Sequence, residues 1–348
     1  MKAVVVRVPG PAETALQLET LPDPSPGPGQ VVLQVEACGV CFHDVVTRNG
    51  TLKAGVEPPF IPGHEVCGTV AALGRDVRGL TIGQRVATTQ RGRVCGLCRH
   101  CTGGREPLCA EAAFLGDAGL NGGYAEYVAL DAGMVVPVPE GVAPDAAAIA
   151  ACAIGTMFHA VREIGQVRPG DTVLVTGAGG GLGTHGVQLA RLAGARVLAQ
   201  TTSPAKAAAL REAGAHEVML HRRGEDFSGA VKDLTSGEGV DVVIDNVGTP
   251  LFQPTRRSIG KAGRWVLVGQ LTGDFVPFNP AQLFLRGISM LSATSTTRAE
   301  LRQVLELLAR GAIRAVLDRA LPLGAAAEAH MLAEAGRTTG RMTLRPAA

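Results

Sequence analysis

Aromatic side chains are scarce in this chain: one Trp, two Tyr and nine Phe supply 3% of 348 residues. Its cores must be packed from small aliphatics, and 46 glycines point to many turns. Charge of one sign is also missing. The formal net charge is +2 and no run of five like charges occurs, so the field that binds nucleic acid is absent and a small-molecule partner is expected. No stretch approaches the roughly 18 uninterrupted apolar residues of a membrane span. The apolar run in MKAVVVRVPG is too short for a signal peptide. The expected location is therefore the cytoplasm, with no membrane partner. In that reducing compartment, the eight cysteines are expected as ligands, catalysts or core residues rather than disulfide partners.

What is present divides the chain in two. A single core usually stops growing at about 250–300 residues, so 348 residues predict two domains. Up to about residue 150, short β segments (MKAVVVRV, QVVLQVEA, EVCGTVAAL, QRVATT, YAEYVAL) alternate with Pro/Gly punctuation such as LPDPSPGPGQ, the texture of a β barrel with long loops. From about 154, six apolar runs (TVLVTG, RVLAQT, EVMLH, DVVIDN, RWVLVG, ISMLSA) recur with mostly helical intervals, the rhythm of a doubly wound parallel sheet in an α/β fold. Beyond Ala293, TRAELRQVLELLARGAI reads as an amphipathic helix with Leu301, Val304, Leu305 and Leu308 on one face, and GRMTLRP as a last strand.

Two motifs carry chemistry by their spacing. In CGLCRHCTGGREPLC, residues 95–109, Cys95, Cys98, Cys101 and Cys109 follow C-x2-C-x2-C-x7-C. Two-residue gaps let a tight loop aim successive sulfurs at one centre, and four thiolates close a tetrahedron around Zn2+ with no position left for catalysis. An iron–sulfur set also opens C-x2-C-x2-C, but the C-x3-C-P ending of ferredoxins is missing. In TVLVTGAGGGLGTHGVQLARLAG, a strand runs into a glycine turn and a helix. Gly177, Gly180, Gly181 and Gly183, with Leu182 between them, let the backbone approach a pyrophosphate met by amides at the helix start.

The second strand of that unit ends in AQTTS, without the carboxylate that would hold the adenine-ribose hydroxyls of NAD. Thr201 stands where it is expected, followed by Thr202 and Ser203. A 2'-phosphate would not be repelled there, and Ser203, Lys206 and Arg222 are candidates to bind it, so NADP(H) is expected over NAD(H). Lys206 reads equally as a solvated helix residue and Arg222 as an ordinary loop charge.

The stretch GHEVCGTVAALGRDV, residues 63–77, is similar to the G-H-E-x2-G-x5-G-x2-V signature of the zinc-containing medium-chain alcohol dehydrogenases. The cysteine lobe resembles their structural zinc loop, and the glycine turn resembles that of their quinone and enoyl reductase branch. The resemblance spans the whole chain. It implies a GroES-like β-barrel catalytic domain over 1–153 and 294–348, with the zinc lobe at 95–109, and a six-stranded Rossmann dinucleotide-binding domain over 154–293. It implies two zinc ions per chain, the catalytic one taking Cys41, His64 and Cys152, with Glu65 able to approach it and Asp44 holding the ligand histidine. Thr156, Val247 and Val268 fall where the superfamily lines the nicotinamide pocket, although as apolar or small residues they read equally as core. A homodimer or homotetramer, paired through the last nucleotide-domain strand, is implied as well. Cys38 and Cys67 are left over as small core residues.

One departure stands in CFHDVVTRNG: relatives usually carry Ser or Thr as a proton relay where this chain has His43. An imidazole can exchange that proton itself, or His43 can merely pack within its loop. The same segment is similar to one in quinone reductases, and the chain resembles zinc-bearing members that include acryloyl-CoA reductases. Two reactions stay open: hydride transfer between NADP(H) and an alcohol or carbonyl, and NADPH-driven reduction of a C=C bond conjugated to a carbonyl or thioester. A non-enzymatic nucleotide-binding role is a third reading, which an intact metal set with an open position disfavours.

Overall fold

The computed structural model describes residues 1–346 apart from 53, 54, 118 and 223. The chain folds as two compact units, 1–155 with 295–348, and 156–294. The first unit is organised by strand Gln30–Val40, whose apolar side chains Val31, Leu33 and Val35 enter the core. It pairs antiparallel with Glu65–Leu73, and also with Tyr127–Asp131 near its start and Arg341–Arg345 near its end. Arg85–Thr88 and Val135–Pro137 extend the sheet beyond Glu65–Leu73, and Leu317–Pro322 pairs in parallel with the last strand. Gly68 is required in this ladder, because a Cβ there would lie 2.3 Å from the Gln34 carbonyl oxygen. Helix Arg298–Ala309 starts in a capping box of Thr297 and Glu300. Its Leu301, Val304 and Leu305 are buried on the expected face and Leu308 is half-buried; the helix packs on the segment Ala150–Gly155.

The second unit is a six-stranded parallel sheet in the order Glu217–Leu220, Arg196–Thr201, Thr172–Thr176, Val240–Asp245, Ile259–Leu267, Ser289–Ser292. The expected α/β doubly wound class is borne out, and the six apolar runs lie on these six strands. Continuous Val/Ile/Leu runs suit this sheet because helices cover both faces of a parallel sheet. Strand order reverses between Thr172–Thr176 and Val240–Asp245, where dinucleotides bind at the carboxyl ends of such sheets. Trp265 is fully buried, packs on Phe252 at 4.8 Å between centroids, and donates its indole N–H to Asp245 Oδ2 at 3.0 Å. No helix among the described residues is long and apolar enough to cross a membrane.

Candidate metal centres and nucleotide site

The lobe after strand Arg85–Thr88 folds its four cysteines inward from the short helix Arg99–Thr102 and the turn Glu106–Leu108. Their sulfurs all lie within 4.8 Å of one another. Cys95–Cys101 is 3.9 Å, Cys98–Cys101 3.6 Å and Cys95–Cys109 3.6 Å. A disulfide needs about 2.05 Å, whereas bonds of about 2.3 Å to a tetrahedral zinc set sulfurs about 3.8 Å apart. Backbone amides already point at the sulfurs: Cys98 N–H donates to Cys95 Sγ at 3.3 Å and Cys95 N–H to Cys109 Sγ at 3.5 Å. The backbone N–H of Cys101 draws the Cys98 thiol down to about 7. The donor set and its spacing fit Zn2+.

The second cluster gathers Cys41, His64, Glu65 and Cys152, all buried, with one ligand atom of each within 4.8 Å of the others. Cys41 caps helix Phe42–Arg48, His64 immediately precedes strand Glu65–Leu73 and Glu65 opens it, and Cys152 lies in Ala150–Gly155, a segment wound in wide turns with Ile154 N–H reaching the Ile149 carbonyl at 3.3 Å. Such turns often occur at functional sites. Asp44 ties three of these pieces together. Its Oδ2 accepts the Cys41 N–H at 3.0 Å, and its Oδ1 accepts from Gly63 N–H at 3.3 Å and from His64 Nδ1 at 3.0 Å. With Nδ1–H given to Asp44, the lone pair of His64 is on Nε2, which is buried and makes no hydrogen bond. The Cys41 and Cys152 sulfurs stand 3.9 Å apart, again the edge of a zinc tetrahedron. An orphaned imidazole nitrogen beside two thiols fits a resident zinc. Space for Glu65 depends on Gly39, where a Cβ would lie 2.0 Å from Glu65 Oε2.

Sequence reading missed Arg341, placing it only in a last strand. Its guanidinium is buried, 2.7 Å from Glu65 Oε1 and 3.6 Å from Cys152 Sγ. Burial pushes the Glu65 carboxyl up to about 7, with Arg341 opposing. Cys38 and Cys67 are buried in the paired strands and belong to neither cluster; burial raises both thiols.

His43 stands beside the second cluster. Its ring centroid is 5.3 Å from that of His64, edge-on, and 4.3 Å from that of Phe114. Its Nε2 is 3.0 Å from Asp117 Oδ2, a second partner that spacing could not have revealed. Phe114 also lies 4.9 Å from His64 and has the Arg91 guanidinium 5.2 Å from its centroid.

In the nucleotide unit, Gly177 has a positive φ of 57° and donates its N–H to Gln200 Oε1 at 3.1 Å. A Cβ on Gly183, the first residue of helix Gly183–Leu192, would strike the Gly177 carbonyl at 2.4 Å. Gly180 donates its N–H to the Gly177 carbonyl at 3.1 Å; Gly181 follows, and Leu182 precedes the helix. Thr201 is buried, Thr202 is exposed and Ser203 half-buried. Lys206, in the turn Pro204–Lys206, lies against the glycine turn: a Cβ on Gly179 would be 2.5 Å from its Cδ. Arg222 is exposed beyond Glu217–Leu220, and its backbone N–H goes to Glu225. Val247 Cγ2 would be 2.8 Å from a Cβ on Gly177, Val268 is half-buried, and Thr156 is buried at the start of the unit. Asp245, fully buried, also escaped the sequence reading. It accepts from Thr176 Oγ1 at 2.7 Å and from the N–H groups of Val247 and Gly248 at 3.0 and 3.1 Å, fixing the chain where it leaves the sheet.

A β unit with two thiol-rich metal-ligating clusters, in one chain with a dinucleotide-type sheet, defines the class of zinc-binding dehydrogenases. Comparison with known proteins agrees. Residues 27–140 match the alcohol dehydrogenase GroES-like domain, and residues 181–310 match the zinc-binding dehydrogenase family. An acryloyl-coenzyme A reductase of Sulfurisphaera tokodaii is 30% identical over 99% of this chain and 100% of its own, and an alcohol dehydrogenase of Geobacillus stearothermophilus is 30% identical over 99% of both. Among solved structures, that of AibC superposes with a TM-score of 0.92 at 45% identity, covering 99% of this chain and 95% of its own. An NAD-dependent alcohol dehydrogenase superposes with a TM-score of 0.93 at 33% identity over 99% of both chains. The chain belongs to the zinc-containing medium-chain dehydrogenase/reductase superfamily and is an oxidoreductase of the alcohol dehydrogenase type, with zinc and a nicotinamide dinucleotide as the cofactors of its family.

Proposed function

We propose that this enzyme moves a hydride between NADP(H) and an alcohol or its aldehyde or ketone, at a site built on Cys41, His64 and Cys152. The observation that carries this reading is the buried Nε2 of His64, which makes no hydrogen bond, in a cluster where one ligand atom each of Cys41, His64, Glu65 and Cys152 lies within 4.8 Å of the others, a complete ligand set for a catalytic zinc. Zinc there supplies a Lewis acid for the substrate oxygen, and the nicotinamide supplies or accepts the hydride. Asp44 keeps His64 in the tautomer that offers Nε2. Glu65, braced by Arg341, stands ready to approach the metal when water or product exchanges. His43, tied through Nε2 to Asp117, takes up at Nδ1 the proton leaving the alcohol hydroxyl and returns it in the reverse direction.

Cys95, Cys98, Cys101 and Cys109 hold a second, structural zinc, giving two per chain. NADP(H) is favoured over NAD(H) because no carboxylate follows strand Arg196–Thr201, while Thr202, Ser203 and Lys206 lie at its end, Lys206 against the glycine turn and Arg222 beyond the next strand. Gly177, Gly180, Gly181, Leu182 and Gly183 receive the pyrophosphate, and Thr156, Val247 and Val268 the nicotinamide. The protein acts in the cytoplasm as a homodimer or homotetramer, pairing through Ser289–Ser292, which lies at an edge of its sheet.

A second reading, reduction of a C=C bond conjugated to a carbonyl or acyl-CoA thioester, is favoured by relatives named acryloyl-coenzyme A reductases in Sulfurisphaera tokodaii and Metallosphaera sedula, 30% and 31% identical. There the hydride goes to the β-carbon and a proton to the α-carbon. An NADPH-oxidation screen across aldehydes, ketones, enones and acryloyl-CoA separates the two. Turnover of carbonyls with inert enones supports the first, and the reverse pattern overturns it.

A further inference from the structure

We propose that Arg91 anchors the substrate of this enzyme, and that the substrate carries a carboxylate a short chain away from the carbon that exchanges hydride. The proposal rests on placing hydride exchange at Cys41, His64 and Cys152. Arg91 opens the two-residue strand Arg91–Gly92, which pairs with Ala113–Phe114. Its guanidinium carbon lies 5.2 Å from the Phe114 ring centroid, and that same ring is 4.9 Å from His64 and 4.3 Å from His43. One aromatic ring is thus shared as a neighbour by a cation and a histidine of the metal cluster.

The cation is only partly satisfied. Its Nε donates to Ser295 Oγ at 3.1 Å. Its two terminal amino groups make no hydrogen bond or ion pair among the described residues. Asp117, whose charge acts on Arg91, has its Oδ2 engaged with His43 Nε2 at 3.0 Å. Arg91 is partly buried, and burial pulls its guanidinium below its ordinary value, with the charge of Asp117 opposing. A partly desolvated guanidinium with both amino groups unpaired is a fork that matches a carboxylate with two parallel N–H···O bonds. A neutral alcohol or aldehyde would leave that cost standing. An oxo or unsaturated acid, seated with its carboxylate on Arg91, would extend past Phe114 toward His64. The phosphates of a coenzyme A thioester offer the same oxyanion chemistry, and the guanidinium fork fits either; but those phosphates lie a whole pantetheine arm away from the thioester, whereas Arg91 and His64 both lie against the one Phe114 ring, and this short reach favours the carboxylate.

The test compares succinic semialdehyde with its methyl ester, and a monounsaturated dicarboxylic acid semialdehyde with its ester, as NADPH-dependent substrates of the zinc-loaded enzyme. The wild type should favour each acid over its ester by about 10-fold or more in kcat/KM, the worth of a charge-assisted contact. Arg91→Ala should collapse that ratio, and Arg91→Lys should restore part of it. A readout independent of turnover is glutarate binding by calorimetry, expected for the wild type and weakened about 10-fold or more in Arg91→Ala, with both proteins melting cooperatively. Acid-to-ester ratios near one in the wild type, or glutarate affinity unchanged by Arg91→Ala, overturn the anchor. An Arg91 dependence found only with acyl-CoA thioesters lacking a carboxylate overturns it too. If neutral aldehydes turn over while the anchor fails, the hydride-transfer reading stands alone. If nothing turns over, that reading fails and glutarate binding still decides for or against Arg91.

Discussion

Replacing Asp44 by Asn tests how the metal cluster is held. The Asp44 carboxylate is 2% exposed and accepts three bonds, from Cys41 N–H, Gly63 N–H and His64 Nδ1. Burial raises an acid of this kind, yet Asp44 sits below the ordinary carboxylate range because His64 favours its charged form. An amide keeps the shape but has one acceptor oxygen. Either the Cys41 amide or the His64 Nδ1–H must then face an NH2 group. Losing one charge-assisted bond costs about 1.5–3 kcal/mol, and a freed imidazole loses its fixed tautomer as well. The expected result is a fall of about 10- to 100-fold in zinc affinity at the Cys41–His64–Cys152 site. Zinc at the four-cysteine lobe should be unaffected. Chelator competition followed by metal analysis reads the two sites separately, since one zinc should leave early in the variant and the other late. Equal affinities in wild type and Asp44→Asn, with the fold intact by thermal melting, would refute the reasoning.

Four further outcomes follow from the same geometry. Cys98→Ser should lower zinc from two per chain to one and reduce stability markedly, because four-thiolate sites contribute directly to folding; a wild-type stoichiometry near zero or one under metal-replete conditions contradicts this. Lys206→Ala should weaken NADPH binding by about 10-fold or more while leaving NADH nearly untouched, since only the 2'-phosphate loses a contact, and calorimetric titration with both nucleotides checks it. His43→Ala should lower kcat by about 100-fold with metal content unchanged, and Asp117→Asn should move kcat the same way by less, as steady-state kinetics will show. Burial holds His330, hydrogen-bonded to Tyr124 at 3.0 Å, down to about 4 from an ordinary 6.5. A depressed histidine lends stability that is complete above pH 6.5 and is lost as pH falls toward 4, in total about 3 kcal/mol. Urea midpoints between pH 7 and 4 should fall less steeply in His330→Gln, and parallel curves would count against it.

Legibility in the sequence followed the range of the signal. The C-x2-C-x2-C-x7-C lobe and the glycine turn are local devices, so their spacing announced them. The six strands of the parallel sheet were readable because each is a continuous apolar run, and helix Arg298–Ala309 because its buried face recurs every three or four residues. Arg341 was not readable: it reaches Glu65 from the other end of the chain, and a lone arginine opening a strand has no pattern to mark it. Asp117 is in the same position, joined to His43 only by the fold. The wide helical turns at Ala150–Gly155 were invisible as well, since a run of small apolar residues reads as core in any helical winding.

The most direct test of hydride transfer to a carbonyl carbon is the fate of deuterium from [4-2H]NADPH in single turnover with a substrate carrying both a carbonyl and a conjugated C=C bond. Mass spectrometry of the product locates the label. The account predicts deuterium on the carbon bearing oxygen, with label transfer lost in Cys152→Ser. Deuterium on the β-carbon, or transfer undiminished without Cys152, would contradict it.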